Sequence, residues 1–154
     1  MKIYTYKSTL FIPADLQSCW DFFSSPANLQ KITPPSMGFQ ITSGPEEKMY
    51  PGQIITYRVK PLFGIAVKWV TEITHSREFS FFVDEQRSGP YKFWHHKHFF
   101  KQVTGGVEMT DLVHYALPFG LPGRMVHFMV ESKLQEIFKY RNAVISKIFS
   151  GENS

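Results

Sequence analysis

The longest uninterrupted helical pattern in the chain lies at its C-terminal end. Between Arg124 and Phe149 there is neither proline nor glycine, and apolar side chains recur at the three- and four-residue spacing of one helix face. A helix of this kind has to cover its apolar stripe with another layer of structure. The rest of the chain must therefore supply a surface that receives the predicted stripe, which comprises Val126, Val130, Leu134, Ile137, Phe138, Ile145 and Ile148.

Proline and glycine divide the preceding sequence into short segments. Alternation over residues 2–12 predicts a strand, Asp15 is suited to cap a short helix that ends at Phe23, and Pro26 can begin a second short helix. The later segments are rich in β-branched and aromatic residues. They predict six further strands at residues 39–42, 53–60, 66–75, 78–86, 91–103 and 107–117.

This order of segments is typical of an α+β fold. Strands joined by short turns usually pair with their sequence neighbours, so the six later strands are expected to form an antiparallel meander, with the first strand at its edge. Turns are expected at Ser76 and Arg77 and at Thr104 and Gly105. The sequence therefore predicts one domain over residues 1–154, in which a curved seven-stranded antiparallel sheet wraps around the long C-terminal helix, with two short helices after the first strand.

Aromatic side chains are unusually frequent, with 15 Phe against only 8 Leu, although leucine normally leads the composition of globular domains. Aromatic pairs across strands would explain the excess, and so would the lining of an apolar cavity. A curved sheet around a single helix leaves space between the two layers, which favours the cavity. For each candidate lining residue, ordinary core packing is the alternative; the candidates are Tyr57, Trp69, Phe81, Trp94 and Tyr115 on strands and Met129 on the long helix.

The densest group of polar and aromatic side chains runs from Trp94 to His98. On a strand, Trp94, His96 and His98 share one face. The expected two-residue turn after position 103 would place His98 opposite Asp111 and Trp94 opposite Tyr115 on the neighbouring strand. The sequence thus predicts that aromatic and titratable side chains meet on the inner face of the sheet.

Three interpretations of His96, His98 and Asp111 stay open at this point. A buried polar cluster with satisfied hydrogen bonds ranks first, and a role in orienting a ligand or in acid–base chemistry ranks second. A metal site ranks last, because no further ligand is evident from the spacing. Arg141 lies near the apolar stripe of the helix, where it either extends to solvent at the edge of the stripe or reaches Asp111 or a ligand carboxylate.

Several classes of protein are disfavoured by the sequence. The single cysteine, Cys19, excludes an internal disulfide and a cysteine-based zinc site. The net charge of +4 is modest, and most lysines and arginines are scattered, which argues against nucleic-acid binding. There is no signal-peptide pattern, membrane-spanning apolar run, nucleophile motif or dinucleotide motif. We therefore expect a cytoplasmic protein without a cofactor, an integral membrane segment or an assignable catalytic residue.

Two segments carry a resemblance to a known family. Residues 82–100 read FVDEQRSGPYKFWHHKHFF and residues 110–120 read TDLVHYALPFG. They are similar to the signature of the bacterial polyketide cyclase/dehydrase-like branch of the START and birch-pollen-allergen-like superfamily, also called SRPBCC. The resemblance covers the whole chain and implies a helix-grip fold, with a deep apolar cavity for lipids, sterols, polyketides or other small hydrophobic molecules.

The function expected from these observations is the binding of a small hydrophobic ligand between the sheet and the C-terminal helix. The first alternative is an enzyme of cyclase or dehydratase type that uses the histidines and Asp111 as acid–base groups in the same cavity. The second alternative is a protein-interaction or stress-response module, with Phe63 and Phe119 presented on loops. The sequence identifies neither the ligand nor a protein partner.

Overall fold

The computed structural model of the protein describes residues 1–44, 48–61, 64–118 and 124–151. Phe63 and Phe119, the loop residues of the interaction-module alternative, lie outside these ranges. The predicted order of elements is confirmed: β1 (Tyr4–Ile12), α1 (Leu16–Phe23), 3₁₀ helices at Pro26–Gln30 and Pro35–Met37, β2 (Gln40–Ser43), β3 (Ile54–Val59), β4 (Val67–Arg77), β5 (Phe81–Ser88), β6 (Phe93–Val103), β7 (Gly106–Ala116) and α2 (Arg124–Ser150).

The seven strands form one antiparallel sheet in the order β1-β7-β6-β5-β4-β3-β2, the predicted meander with the first strand at its edge. A two-residue turn at Thr104 and Gly105 joins β6 to β7. Gly105 has φ +83°, a left-handed conformation that glycine adopts without strain. This turn sets the register of the two longest neighbouring strands, and His98 consequently lies opposite Asp111, as predicted.

The connection between β4 and β5 differs from the prediction. Strand β4 continues through Ser76 to Arg77, so the turn predicted at these two residues is wrong and the chain reverses at residues 78–80. Phe79 in this turn has φ +62°, and its ring contacts Trp20 with centroids 6.2 Å apart. Packing of this side chain helps to hold a backbone conformation that non-glycine residues rarely adopt.

Helix α1 covers one end of the sheet. Its predicted cap is confirmed, because Asp15 accepts a hydrogen bond of 2.8 Å from the backbone N–H of Ser18. Cys19 and Trp20 of this helix are buried. The Trp20 ring meets Phe100 of β6 edge-on, with 5.4 Å between the ring centroids. These contacts form an aromatic core that also includes the C-terminal part of α2.

Helix α2 buries the central part of its predicted stripe, namely Val130, Leu134, Phe138 and Ile145, whereas Ile148 is 39% exposed. Val130, Leu134 and Phe138 pack in one cluster with side chains of β7. None of the helices in the described part of the chain combines the length and the hydropathy needed to span a membrane.

Candidate functional site

A cavity of about 200 Å³ lies between the inner face of the sheet, the 3₁₀ region and α2. Most of the side chains on its wall are apolar or aromatic, which is typical of sites for small hydrophobic ligands. They come from β3, β4 and β5, from the β5–β6 connection, from the segment before β2 and from the middle of α2, and they include Phe39, Ile55, Val59, Ile73, Phe82, Tyr91, Leu134 and Ile137.

Six of the residues predicted for the site line this cavity: Tyr57, Trp69, Trp94, His96, His98 and Arg141. The aromatic members contact one another, since Trp69 is stacked on Tyr57 with ring centroids 5.7 Å apart and meets Trp94 edge-on at 5.3 Å. The structure thus gathers residues from β3, β4, β6 and α2 around one space.

The other four predicted residues lie outside the lining. Phe81 is on the face of β5 opposite to Phe82 and pairs with the outward-facing Phe99. Asp111 lies behind the two histidines with which it interacts. Tyr115 is 1% exposed in the core beside α2, and Met129 lies on α2 away from the cavity wall.

A buried polar cluster faces one part of the cavity. His96 Nε2 donates to Asp111 Oδ1 at 2.8 Å, and His98 Nε2 donates to Asp84 Oδ2 at 2.6 Å. The two imidazole rings are stacked with their centroids 3.7 Å apart. Arg141 Nη2 of the facing helix lies 3.4 Å from the same Asp111 oxygen. Two carboxylates, two imidazoles and one guanidinium therefore interact within a largely apolar surrounding.

The carboxylates of the cluster are ionised despite their burial. Burial alone would raise the pKa of Asp111, but Arg141, the hydrogen bond from His96 and the adjacent His98 hold this pKa well below its usual range. Burial likewise opposes ionisation of Asp84, and His96 and His98 together lower the pKa of this carboxyl. Each buried negative charge is thus compensated by cationic or donor groups around it.

The two histidines differ in their electrostatics. Burial and the neighbouring His98 lower the pKa of His96, although both carboxylates oppose this effect. Burial also disfavours the charged form of His98, yet the neighbouring carboxylates of Asp111 and Asp84 outweigh it and raise the pKa of His98. Neighbouring groups with pKa values moved in opposite directions are typical of functional clusters, and they also occur in structural ones.

Arg141 is a buried member of this cluster. The residue is 5% exposed, and its guanidinium carbon lies 5.6 Å from the ring centroid of Phe23 and 5.5 Å from that of Phe138. The prediction that Arg141 extends to solvent at the edge of the stripe is wrong, and the prediction that it reaches Asp111 is confirmed. An arginine at this depth is held by its ion pair and by the aromatic faces around it.

Sequence reasoning missed Asp84. It lies opposite His96 in the β5–β6 pair, its side chain is 18% exposed, and it lines the cavity. The signal was the acidic residue two positions after Phe82, within the FVDEQ segment. The connection at residues 89–92 is too long to fix the register of these strands from sequence alone, unlike the two-residue turn between β6 and β7.

Three buried side-chain nitrogens of residues that line the cavity have no hydrogen-bond partner among the described residues. They are the indole Nε1 of Trp69, the Nε of Arg141 and the Nδ1 of His98, of which the first two are donors. A buried N–H without an acceptor costs about 1–3 kcal/mol. An acceptor atom brought within hydrogen-bond distance of Trp69 Nε1 or Arg141 Nε would remove that cost at that position.

Neither the protein-family models nor the curated proteins include a match to this chain. Solved structures match it over nearly its whole length. A START superfamily protein from Mycobacterium smegmatis superposes with a TM-score of 0.69 at 10% identity, covering 97% of this chain and 99% of that one. The protein Ara h 8.0201 gives a TM-score of 0.60 at 17% identity, with 94% and 98% covered.

A third match is the di-domain ARO/CYC protein BexL from the BE-7585A biosynthetic pathway. The TM-score is 0.72 at 13% identity, and the match covers 94% of this chain but 49% of that one. At these identities the likeness concerns the fold. The resemblance predicted from the sequence is confirmed at that level.

Proposed function

We propose that this chain, which has the helix-grip fold of START and birch-pollen-allergen-like proteins, binds a small, mostly apolar molecule in the cavity between its sheet and α2. The observation that carries the proposal is the cavity itself, with apolar and aromatic walls and a few buried polar groups at defined places. Lipid-, polyketide- and aromatic-like molecules all fit this description. The pattern is the usual one for small-molecule sites in proteins.

The apolar wall supplies the affinity. Each 100 Å² of apolar ligand surface removed from water contributes about 2.5 kcal/mol. The wall around Tyr57, Trp69 and Trp94 presents flat aromatic faces, which suit planar or ring-containing ligands.

The polar groups restrict the orientation of the ligand. Trp69 Nε1 can only donate, and so can the free Nε of Arg141. Both positions therefore call for a hydrogen-bond acceptor, such as a carbonyl or ether oxygen. We infer a ligand with an apolar body and at least one acceptor oxygen, which is positioned by Trp69 or by the cluster around Arg141.

The proposal is tested with the apolar fluorophore N-phenyl-1-naphthylamine. We expect saturable binding of one fluorophore per chain, with the fluorescence increase of an apolar surrounding. Ile137 lines the cavity on α2, so Ile137→Trp fills part of it and should weaken binding by at least about tenfold, or about 1.4 kcal/mol. Competition by natural extracts against the bound fluorophore would then identify ligand classes.

Phe128→Trp is the matched control, because this position lies on the same helix and is 68% exposed. It adds the same indole group outside the cavity and should leave fluorophore binding unchanged. Thermal unfolding of each variant verifies that it is folded. The absence of saturable binding, or equal loss in both variants, would refute the proposal. The cyclase or dehydratase alternative uses the same cavity and stays a prediction.

A further inference from the structure

We propose that Asp84, His96 and His98 form a binding site for a divalent first-row transition-metal ion at the wall of the cavity. One ligand atom from each residue can be chosen so that all three lie within 4.8 Å of one another. Two imidazole nitrogens and one carboxylate oxygen suit Zn²⁺, Fe²⁺ and related ions. The inference is independent of the proposed apolar ligand.

The candidate ligand atoms are already close to the distances that a bound ion requires. Asp84 Oδ2 lies 2.6 Å from His98 Nε2 and 3.7 Å from His96 Nδ1. In a tetrahedral site, metal–ligand bonds of about 2.0–2.2 Å place neighbouring ligand atoms roughly 3.3–3.6 Å apart. A small rotation of the Asp84 side chain away from His98 and towards His96 brings both separations near this range. The cation would take the place of the hydrogen that His98 Nε2 donates to Asp84 Oδ2.

The opposite ring nitrogens of both histidines meet one further carboxylate. His96 Nε2 donates to Asp111 Oδ1 at 2.8 Å, and His98 Nδ1 lies 3.1 Å from the same oxygen. Histidines that bind metals usually direct their second nitrogen at a carboxylate or carbonyl, which fixes the ring and its tautomer. Here Asp111 holds the His96 ring through a hydrogen bond and lies beside Nδ1 of His98, while His96 Nδ1 and His98 Nε2 face Asp84.

Arg141 completes this outer layer. Its Nη2 lies 3.4 Å from Asp111 Oδ1, which holds the carboxylate in place from the side of α2. When an ion replaces the hydrogen between His98 and Asp84, both histidines are neutral, and two carboxylates against one guanidinium then leave one net negative charge that favours the cation. Removing Asp111 should therefore weaken metal binding without removing a ligand.

The three ligands all line the cavity, whereas Asp111 does not. An ion held by three protein groups at a cavity wall keeps coordination positions for water or for a ligand oxygen, as in metal sites with open positions. The sequence ranked a metal site last, because no ligand beyond His96, His98 and Asp111 was evident. In the structure Asp84, which β5 brings opposite His96, takes the place of Asp111 as the carboxylate ligand, and the fourth position stays open.

The test is isothermal titration calorimetry of the full chain with ZnCl₂, after dialysis against a chelator and without a polyhistidine tag. We expect one ion per chain. Asp84→Asn is nearly isosteric and should weaken binding by more than about 100-fold, and Asp111→Asn by about 10- to 100-fold. Co²⁺ absorption spectra provide a second readout, because visible bands of the bound ion change when a ligand is replaced.

His95→Gln is the matched control. His95 lies on the same strand but on the opposite face, where its Nε2 is 4.0 Å from Glu85, and its removal should leave Zn²⁺ affinity unchanged. Circular dichroism and thermal unfolding verify that each variant is folded. No saturable one-to-one binding by the native protein would overturn the proposal, as would equal affinity in Asp84→Asn. Fluorophore binding in the metal-free protein is measured separately, so the two proposals fail independently.

Discussion

The contact between Arg141 and Asp111 gives a sharp prediction about stability. The two side chains are 6% and 5% exposed, and Nη2 lies 3.4 Å from Oδ1. Arg141→Met retains an unbranched apolar stem beside Phe23 and Phe138 but removes the positive charge. The remaining buried carboxylate is then poorly compensated, and breaking a buried pair in this way costs about 3–5 kcal/mol. We expect the free energy of unfolding to fall by that amount.

The double variant Arg141→Met with Asp111→Asn separates loss of packing from the uncompensated charge. Asparagine has nearly the shape of aspartate, and its carbonyl oxygen can still accept the hydrogen bond from His96. We therefore expect the double variant to be more stable than Arg141→Met alone, by about 1–3 kcal/mol. Both residues act as a unit, so their single effects are not additive.

The measurement is urea unfolding at neutral pH, followed by tryptophan fluorescence and circular dichroism. Lys133→Met on the same helix is the control, because the ion pair of Lys133 with Glu136 is partly exposed, at 26% and 57%, and such a pair contributes about 0–1 kcal/mol. A loss below about 1 kcal/mol in Arg141→Met, or no recovery in the double variant, would refute the electrostatic account of this cluster.

Three further predictions concern the fold and the cavity. The thiol of Cys19 is fully buried, and burial raises its pKa to about 11. Ellman's reagent should therefore react with this thiol at pH 8 only after denaturation. Rapid reaction in the folded protein would contradict the buried position of Cys19. Gly105→Ala should lower the free energy of unfolding by about 1 kcal/mol, because alanine is strained at φ +83°. The comparison variant is Gly52→Ala, at another turn glycine with positive φ. An unchanged free energy of unfolding in Gly105→Ala would contradict the turn geometry. We expect the native protein to bind 2-acetylnaphthalene about two- to tenfold more tightly than 2-ethylnaphthalene in calorimetry. Trp69→Phe keeps an aromatic ring but removes the free indole N–H, so this preference should disappear. An unchanged preference would show that the carbonyl oxygen does not bind to Trp69.

The β6–β7 pair was predictable from sequence because a short turn leaves little freedom. A two-residue connection at Thr104 and Gly105 allows one register, and the side-chain alternation of strands then decides which residues share a face. The pairs of His98 with Asp111 and of Trp94 with Tyr115 followed from this reasoning. The long helix was predictable for a similar reason, since 26 residues without proline or glycine (124–149) carry one continuous apolar stripe.

The same reasoning could not predict which face of β5 carries Asp84 and which carries Phe81. The turn after β4 lies later than predicted, and the pairing of β4 with β5 shifts register twice, so counting positions from the β4 side does not predict the inner face. The inner residues of β5 are Phe82 and Asp84, which line the cavity. The depth of Arg141 was also unpredictable, because its burial depends on the Asp111 charge that the fold brings to it.

The central claim, that the cavity binds an apolar molecule against the wall that includes Trp69, is tested most directly by nuclear magnetic resonance. The chain has three tryptophans, and their indole N–H signals are resolved in a proton–nitrogen correlation spectrum and assigned by Trp69→Phe. During titration with 2-acetylnaphthalene, we predict that the Trp69 signal moves downfield as its N–H donates to the carbonyl oxygen. Trp20 of α1 does not line the cavity, and its signal should not move. An unchanged Trp69 signal at saturating ligand would contradict the claim.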